Sequence, residues 1–242
     1  RSDVLPNRNQ GYSGRVTYDY ASKYLVEFNF GYNGSERLAA GHRFEFFPAV
    51  SAGWVASSEK FWEPISKYIN HFKIRGSYGL VGSDAFASGA PHFLYQNNIG
   101  IGSAHNFWTG LPTSEISKKG PGFYVLAVQD AGWEHVKKFD IGFDMMLFNQ
   151  LNITFDYFHD KRERILMSRA SWPSMLGYWG SKPWSNIGEV ENQGFELSLN
   201  WTKQFGKDLT LDLRGNFTYN QNEYKYVDEP SYPYVWQTNT GK

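Results

Sequence analysis

The stretch YLVEFNFGYNG, residues 24–34, puts Tyr24, Val26, Phe28, Phe30 and Tyr32 on one side of an extended chain, with Leu25, Glu27, Asn29, Gly31 and Asn33 on the other. Alternation with period two marks a β-strand, because successive side chains of a pleated backbone point to opposite faces. The same pattern runs through Tyr12–Tyr20, Phe72–Val81, Lys138–Leu147, Leu151–Phe158, Phe195–Trp201 and Leu209–Tyr219. It is less regular in FEFFPAVSAGW, where Phe44, Phe46, Val50 and Trp54 keep register. Eight strands are therefore predicted, with further strand pieces at His92–Ile99 and Phe123–Gln129. No charge falls on the apolar face of the eight. The opposite face carries Arg15, Asp19, Glu27, Lys73, Arg75, Asp140, Asp144, Asp156, Glu196, Asp212 and Arg214.

The connections alternate as well. Short ones lie at Ala21–Lys23, Asn149-Gln150 and Lys203–Lys207, and long ones at Gly34–Arg43, Gly82–Glu134, His159–Gly188 and beyond Asn220. Val55–His71 is intermediate and is expected to hold a helical turn at the short-connection end. Followed up and down, every tight turn lands at one end and every long loop at the other, as in outer-membrane barrels. A charge facing lipid near the bilayer midplane costs about 2–4 kcal/mol, which accounts for its exclusion from the apolar face. Strands of about 9–12 residues suit an apolar band about 25 Å tall better than a globular core, where strands centre on ~5–6 residues. Aromatics gather where boundary girdles belong: Tyr18, Tyr20, Tyr24, Trp54 and Trp201 near the short turns, and Tyr32, Tyr78, Tyr157 and Tyr219 near the loops. The predicted fold is an all-β transmembrane antiparallel β-barrel. A soluble β-sandwich shares the alternation and is the alternative; in it, loop tryptophans would bind carbohydrate.

Composition narrows the function classes. The net charge of +0 gives no electrostatic footprint for nucleic acid, and the absence of cysteine excludes disulfides, thiolate metal sites and a thiol nucleophile. A mean hydropathy of -0.53 looks soluble, but alternating strands average out in any hydropathy window. Arg1 opens a polar segment without a leader pattern, and the chain closes in the loop-like EPSYPYVWQTNTGK. An open sheet edge cannot persist in hydrocarbon, so the strands are expected to be a partial set from a larger cylinder. A small self-closed barrel would instead pair Tyr12–Tyr20 with Leu209–Tyr219.

The series GRVTYDYASKYLVEFNFGYNGSERLAAGHRFEFFPAVSAGW, FKIRGSYGLVGSD, WEHVKKFDIGFD, LNITFDYFHDKRERILM, NIGEVENQGFELSLNW and LRGNFTYNQN resembles the SusC/RagA family of TonB-dependent outer-membrane transporters of Bacteroidetes. The resemblance covers nearly the whole chain, outside the variable stretches Ala85–Gly132 and Ser171–Trp184. It implies an about 22-stranded barrel of the plugged transporter type, located in the outer membrane. It also implies a SusD-like surface lipoprotein as a lid, and import of oligosaccharides or peptides driven through TonB pulling on the plug. All 242 residues are then part of a single barrel domain whose plug, TonB-contacting segment and remaining strands lie outside this chain. No enzyme activity and no cofactor are expected.

Catalytic constellations are weak. Asp156, Asp160 and Glu163 could suggest a glycosidase pair, but they lie on a strand and its emergent loop, as solvated charges do. The histidines lack ligand spacing, Gly100-Ile101-Gly102 lacks the context of a phosphate cradle, and Glu189 with Glu191 is a bare acidic pair. The sequons at Asn33, Asn152, Asn200 and Asn216 lie on or beside strands. Binding chemistry is better represented in the loops. Trp172, Tyr178, Trp179 and Trp184, and more weakly Trp108, sit among Gly, Ser and Pro, a setting suited to stacking on sugars or packing a partner protein. The alternative is that these rings pack on one another. Lumen-facing positions are assigned to Arg15, Glu27, Lys73, Arg75, Asp140, Asp144, Glu196, Asp212 and Arg214, as groups that pair across strands or touch the plug.

Overall fold

Tight left-handed turns fix the pairing of the strands. Ala21 and Ser22 have φ of 54° and 56°, and Phe148 and Asn149 have φ of 53° and 55°. Positive φ at both central residues is the type I′ geometry, whose twist matches that of the flanking strands. Without glycine this costs on the order of 1 kcal/mol per residue, and Asp19 Oδ1 offsets part of it by accepting a hydrogen bond from the Ser22 amide at 2.8 Å.

The computed structural model describes residues 8–86, 89–109, 116–173, 175 and 182–242. Its strands are β1 (Asn9–Tyr20), β2 (Tyr24–Ser35), β3 (Phe44–Val55), β4 (Ile69–Ser83), β5 (Asn98–Thr109), β6 (Ile116–Val125), β7 (Glu134–Leu147), β8 (Leu151–Ser168), β9 (Trp184–Phe205) and β10 (Leu209–Tyr226). Eight of them form one antiparallel sheet in the order β1-β2-β3-β4-β7-β8-β9-β10, and β5 and β6 form a separate hairpin. Two short 3-10 turns, Ala56–Ser58 and Lys60–Trp62, occupy the connection before β4.

One row of cross-strand partners runs Tyr20, Tyr24, Trp54, Ile74, Phe143, Phe155, Leu197, Phe217. Tyr20 ends β1 at its turn, whereas Phe217 stands eight residues above Leu209, the start of β10. With the turn ends level, that climb over seven pairings corresponds to a strand tilt of about 38°, at ~3.3 Å per residue and ~4.8 Å per strand. Membrane barrels tilt by about 35–45°. The row is apolar throughout, and Phe28, Ile141 and Leu211 on the same face are 40%, 46% and 40% exposed. Among the described residues no second sheet packs on this face. The sandwich alternative therefore fails. The self-closed barrel fails too, because β1 and β10 are the two edges of the sheet and do not pair with each other.

The long connections need correction. The stretch expected as a loop over His159–Gly188 continues β8 to Ser168 and starts β9 at Trp184, and β10 continues to Tyr226. Above the lipid band the outer face meets water, so apolar alternation stops while backbone pairing goes on. There the outward positions are charged and paired: Lys137–Glu163 at 2.6 Å, Lys161–Glu163 at 2.7 Å and Lys225–Glu191 at 3.3 Å. The strand piece expected at His92–Ile99 keeps only Asn98 and Ile99, and that at Phe123–Gln129 keeps only Phe123–Val125. Both lie at the base of the β5–β6 hairpin. The compact apolar packing lies at the loop end, in two small clusters: Leu38, Phe47 and Trp133, and Leu94, Ala131 and Leu166.

Candidate functional site

The inward face concentrates its charge around Arg75 on β4. Its Nη2 donates to Asp156 Oδ2 at 2.7 Å and its Nε to Asp144 Oδ2 at 3.3 Å, while Nη1 lies 3.6 Å from Asp140 Oδ1. Thr154 Oγ1 donates to the other Asp144 oxygen at 3.2 Å. Arg75 and Asp156 sit on strands separated by β7, with Gly142 between them in the same row. A Cβ at Gly142 would strike Asp156 Oδ1, so the glycine keeps open the path of the ion pair. Glu196 is the next partner beyond Asp156. One guanidinium thus faces three carboxylates with a fourth adjacent, which leaves this face acidic.

The other lumen-assigned residues fall on the same side. Arg15 pairs with Glu27, which also accepts from Asn29 Nδ2 at 2.6 Å. Lys73 is in register with Asp144, Asp212 accepts from Thr202 Oγ1 at 2.6 Å, and Arg214 stands opposite Asn200. A groove of about 460 Å³ runs along this face, lined by Thr17, Asp19, Glu27, Lys73, Arg75 and Asp140. It offers hydrogen-bond donors and carboxylates. Among the described residues no group of three or more His, Asp or Glu side chains is arranged to hold a metal ion.

Asp156 belongs to this centre; the sequence places it on the polar face as a solvated charge but not in the lumen-facing group. Hairpin arithmetic could have found it, since the turn pairing Leu147 with Leu151 also pairs Gly142 with Asp156. Phe47 was missed because it interrupts the alternation on the polar side. Its ring lies 5.4 Å from Trp133, edge to face, and the Trp133 Nε1 donates to the Arg43 carbonyl at 3.0 Å. This cluster ties the loop after β2 to the long connection before β7.

The loop aromatics separate. Trp108 is 63% exposed near the tip of the β5–β6 hairpin. Trp184 opens β9 and packs against the cluster of Leu94, Ala131 and Leu166. Trp172 is half-buried beside Ser171. Tyr178 and Trp179 lie outside the described residues. The approach to Trp172 is clamped by Asp228, which accepts from Ser171 Oγ at 2.7 Å, the Ser171 amide at 3.2 Å and Arg169 Nε at 3.2 Å. Burial pushes the Asp228 carboxyl up, but the Ser171 and Arg169 hydrogen bonds outweigh it and hold the group below the usual carboxylate range.

Two-faced tilted strands, an acidic inner wall and loop-end clusters can be set beside known proteins. A family model described as TonB dependent receptor-like, beta-barrel matches residues 6–241. The chain belongs to the TonB-dependent receptor β-barrel family. Its place is the outer membrane, with the apolar face of the sheet toward lipid. TonB-dependent receptor P3 of Formosa agariphila is 31% identical over 87% of this chain and 20% of its own length. TonB-dependent receptor SusC of Bacteroides thetaiotaomicron is 27% identical over 88% of this chain and 20% of its own length. The structure of the RagAB peptide importer in the open-open state superposes with a TM-score of 0.73 at 20% identity, covering 90% of this chain and 22% of that one. That likeness is one of fold. The chain spans about a fifth of the length of the curated relatives it matches.

Proposed function

We propose that this sheet forms one arc of the wall of a plugged barrel that imports a nutrient oligomer, an oligosaccharide or a peptide, across the outer membrane. A SusD-like lipoprotein would deliver the oligomer at the loop end, and TonB would supply energy through a plug. The observation that carries the proposal is the asymmetry of the two faces: an uncovered apolar surface on one, and the Arg75–Asp140–Asp144–Asp156 centre on the other. Both edges, β1 and β10, leave backbone groups that only further strands can satisfy in hydrocarbon. Trp108 and Trp172 are proposed as contacts to the oligomer or the lid, whereas Trp184 acts through packing of the loop base.

The test is uptake of labelled oligosaccharides and oligopeptides by cells that produce the full-length receptor containing these strands. Uptake should be lost on deletion of the receptor, of TonB or of the neighbouring lipoprotein. Unchanged uptake of every oligomer in all three deletions would refute the reading.

A further inference from the structure

The segment from the second 3-10 turn to β4 carries apolar side chains where the sheet itself does not need them. Phe61, Ile65 and Tyr68 are 60%, 42% and 56% exposed, and they recur at i, i+4 and i+7, on one side of a helical turn. The turn is real: the Ser66 amide donates to the Trp62 carbonyl at 2.9 Å and the Ile69 amide to the Ile65 carbonyl at 3.0 Å. At about 100° per residue Lys60, Glu63 and Lys67 fall opposite these three in the sequence pattern, and all three are exposed.

Its position is fixed by rings. Trp62 stacks on Phe72 with centroids 5.3 Å apart and planes 6° apart, and its Nε1 donates to the Ile69 carbonyl at 3.0 Å. Phe72 begins a chain of outward rings that continues through Phe143, Phe155, Phe195 and Phe217 at 5.6–6.2 Å spacings. Phe61 lies 6.3 Å from Trp54, another outward residue. Tyr68 meets Phe148 of the β7–β8 turn at 6.1 Å, edge to face. At the rim Glu59 accepts from Lys23 Nζ at 3.0 Å and from the hydroxyl of the outward Tyr24 at 2.9 Å, which pins the start of the segment to the first turn. The segment therefore lies on the outside of the sheet at its short-turn rim, continuous with the lipid-facing surface.

We propose that Lys60–Tyr68 is an interfacial anchor embedded in the headgroup–acyl boundary of the phospholipid leaflet at the short-turn end. Phe61, Trp62, Ile65 and Tyr68 enter the boundary, where aromatic side chains with one polar end are favoured. Lys60 and Lys67 extend to lipid phosphates. The anchor fixes the depth at which this arc sits. The inference rests on the sheet's outer face meeting lipid.

Cysteine is absent from this chain, so single nitroxide labels can be placed cleanly within it. The receptor containing these strands is reconstituted in phosphatidylethanolamine–phosphatidylglycerol vesicles, labelled at Ile65→Cys, Tyr68→Cys, Glu63→Cys or Ile141→Cys. Collision with oxygen and with an aqueous nickel chelate is compared, and heat-modifiable migration selects folded samples. Labels at 65 and 68 should collide more with oxygen than with nickel, and the label at 63 the reverse. Either of the first two suffices if the other variant does not fold. Water-phase behaviour at 65 and 68 with a lipid-phase label at 141 overturns the anchor alone. Shielding from both reagents at 65 and 68 overturns it as well. A water-phase label at 141 overturns the lipid-facing sheet together with the anchor.

Discussion

Gly142 has no side chain in a place where two others meet across it. A methyl group there would collide with Asp156 Oδ1 and approach the Phe155 carbonyl oxygen at 2.5 Å, forcing apart the Arg75–Asp156 pair. Gly142→Ala is expected to destabilise the folded receptor by about 1–3 kcal/mol in denaturant unfolding, the range for leaving a partly buried hydrogen-bonded group unmatched. Gly215→Ala on β10, where nothing lies within 4 Å of the added carbon, should change little. Asp228 gives a pH prediction of definite sign. Its folded-state carboxyl is lowered, so the clamp on Arg169 and Ser171 is fully present above about pH 4 and is lost as pH falls through the lowered value. Protection of the amides of residues 169–172 against hydrogen exchange, relative to the unfolded rate at the same pH, should fall only in that acid range. In Asp228→Asn that protection should already be lost at neutral pH.

At the scale of elements, the two faces of one strand should answer the same substitution differently. Ile141 on β7 is outward and six residues from the end of the strand at Leu147, within the apolar band. Ile141→Lys is expected to cost about 2–4 kcal/mol in unfolding from vesicles. Ser77→Lys on β4, inward and in register with Asp140, should cost much less. The transmembrane portions of all eight strands were legible in the sequence because lipid and water impose period two on them. The upper halves of β8, β9 and β10 were not. There water meets both faces, and Lys161, Glu189 and Glu223 carry no apolar signal to distinguish strand from loop. The bulge at Arg164, with φ of 58°, hides the pattern further; its carbonyl accepts from Asn186 Nδ2 at 2.8 Å. The Arg75 centre was half legible. Charge on the polar face identified Arg75, Asp140, Asp144 and Asp156, but their convergence depends on register between β4, β7 and β8, which alternation alone does not set.

For the whole molecule, tilt and openness go together. A climb of eight residues over seven pairings gives the sheet the stagger of a membrane barrel, while β1 and β10 remain edges. Every feature of the inner wall, from the acidic centre to the loop-end clusters, matters for import only if the outer wall is immersed. The most direct measurement is labelling of the receptor in membranes by a photoreactive aryl azide dissolved in the acyl phase, followed by mass spectrometry along β2 and β7. Modification with period two is expected, at Val26, Phe28 and Phe30 and at Ile141 and Phe143, with Glu27, Asn29, Asp140 and Asp144 unmodified. Equal labelling of both faces, or protection of Phe28 and Ile141, would contradict the account.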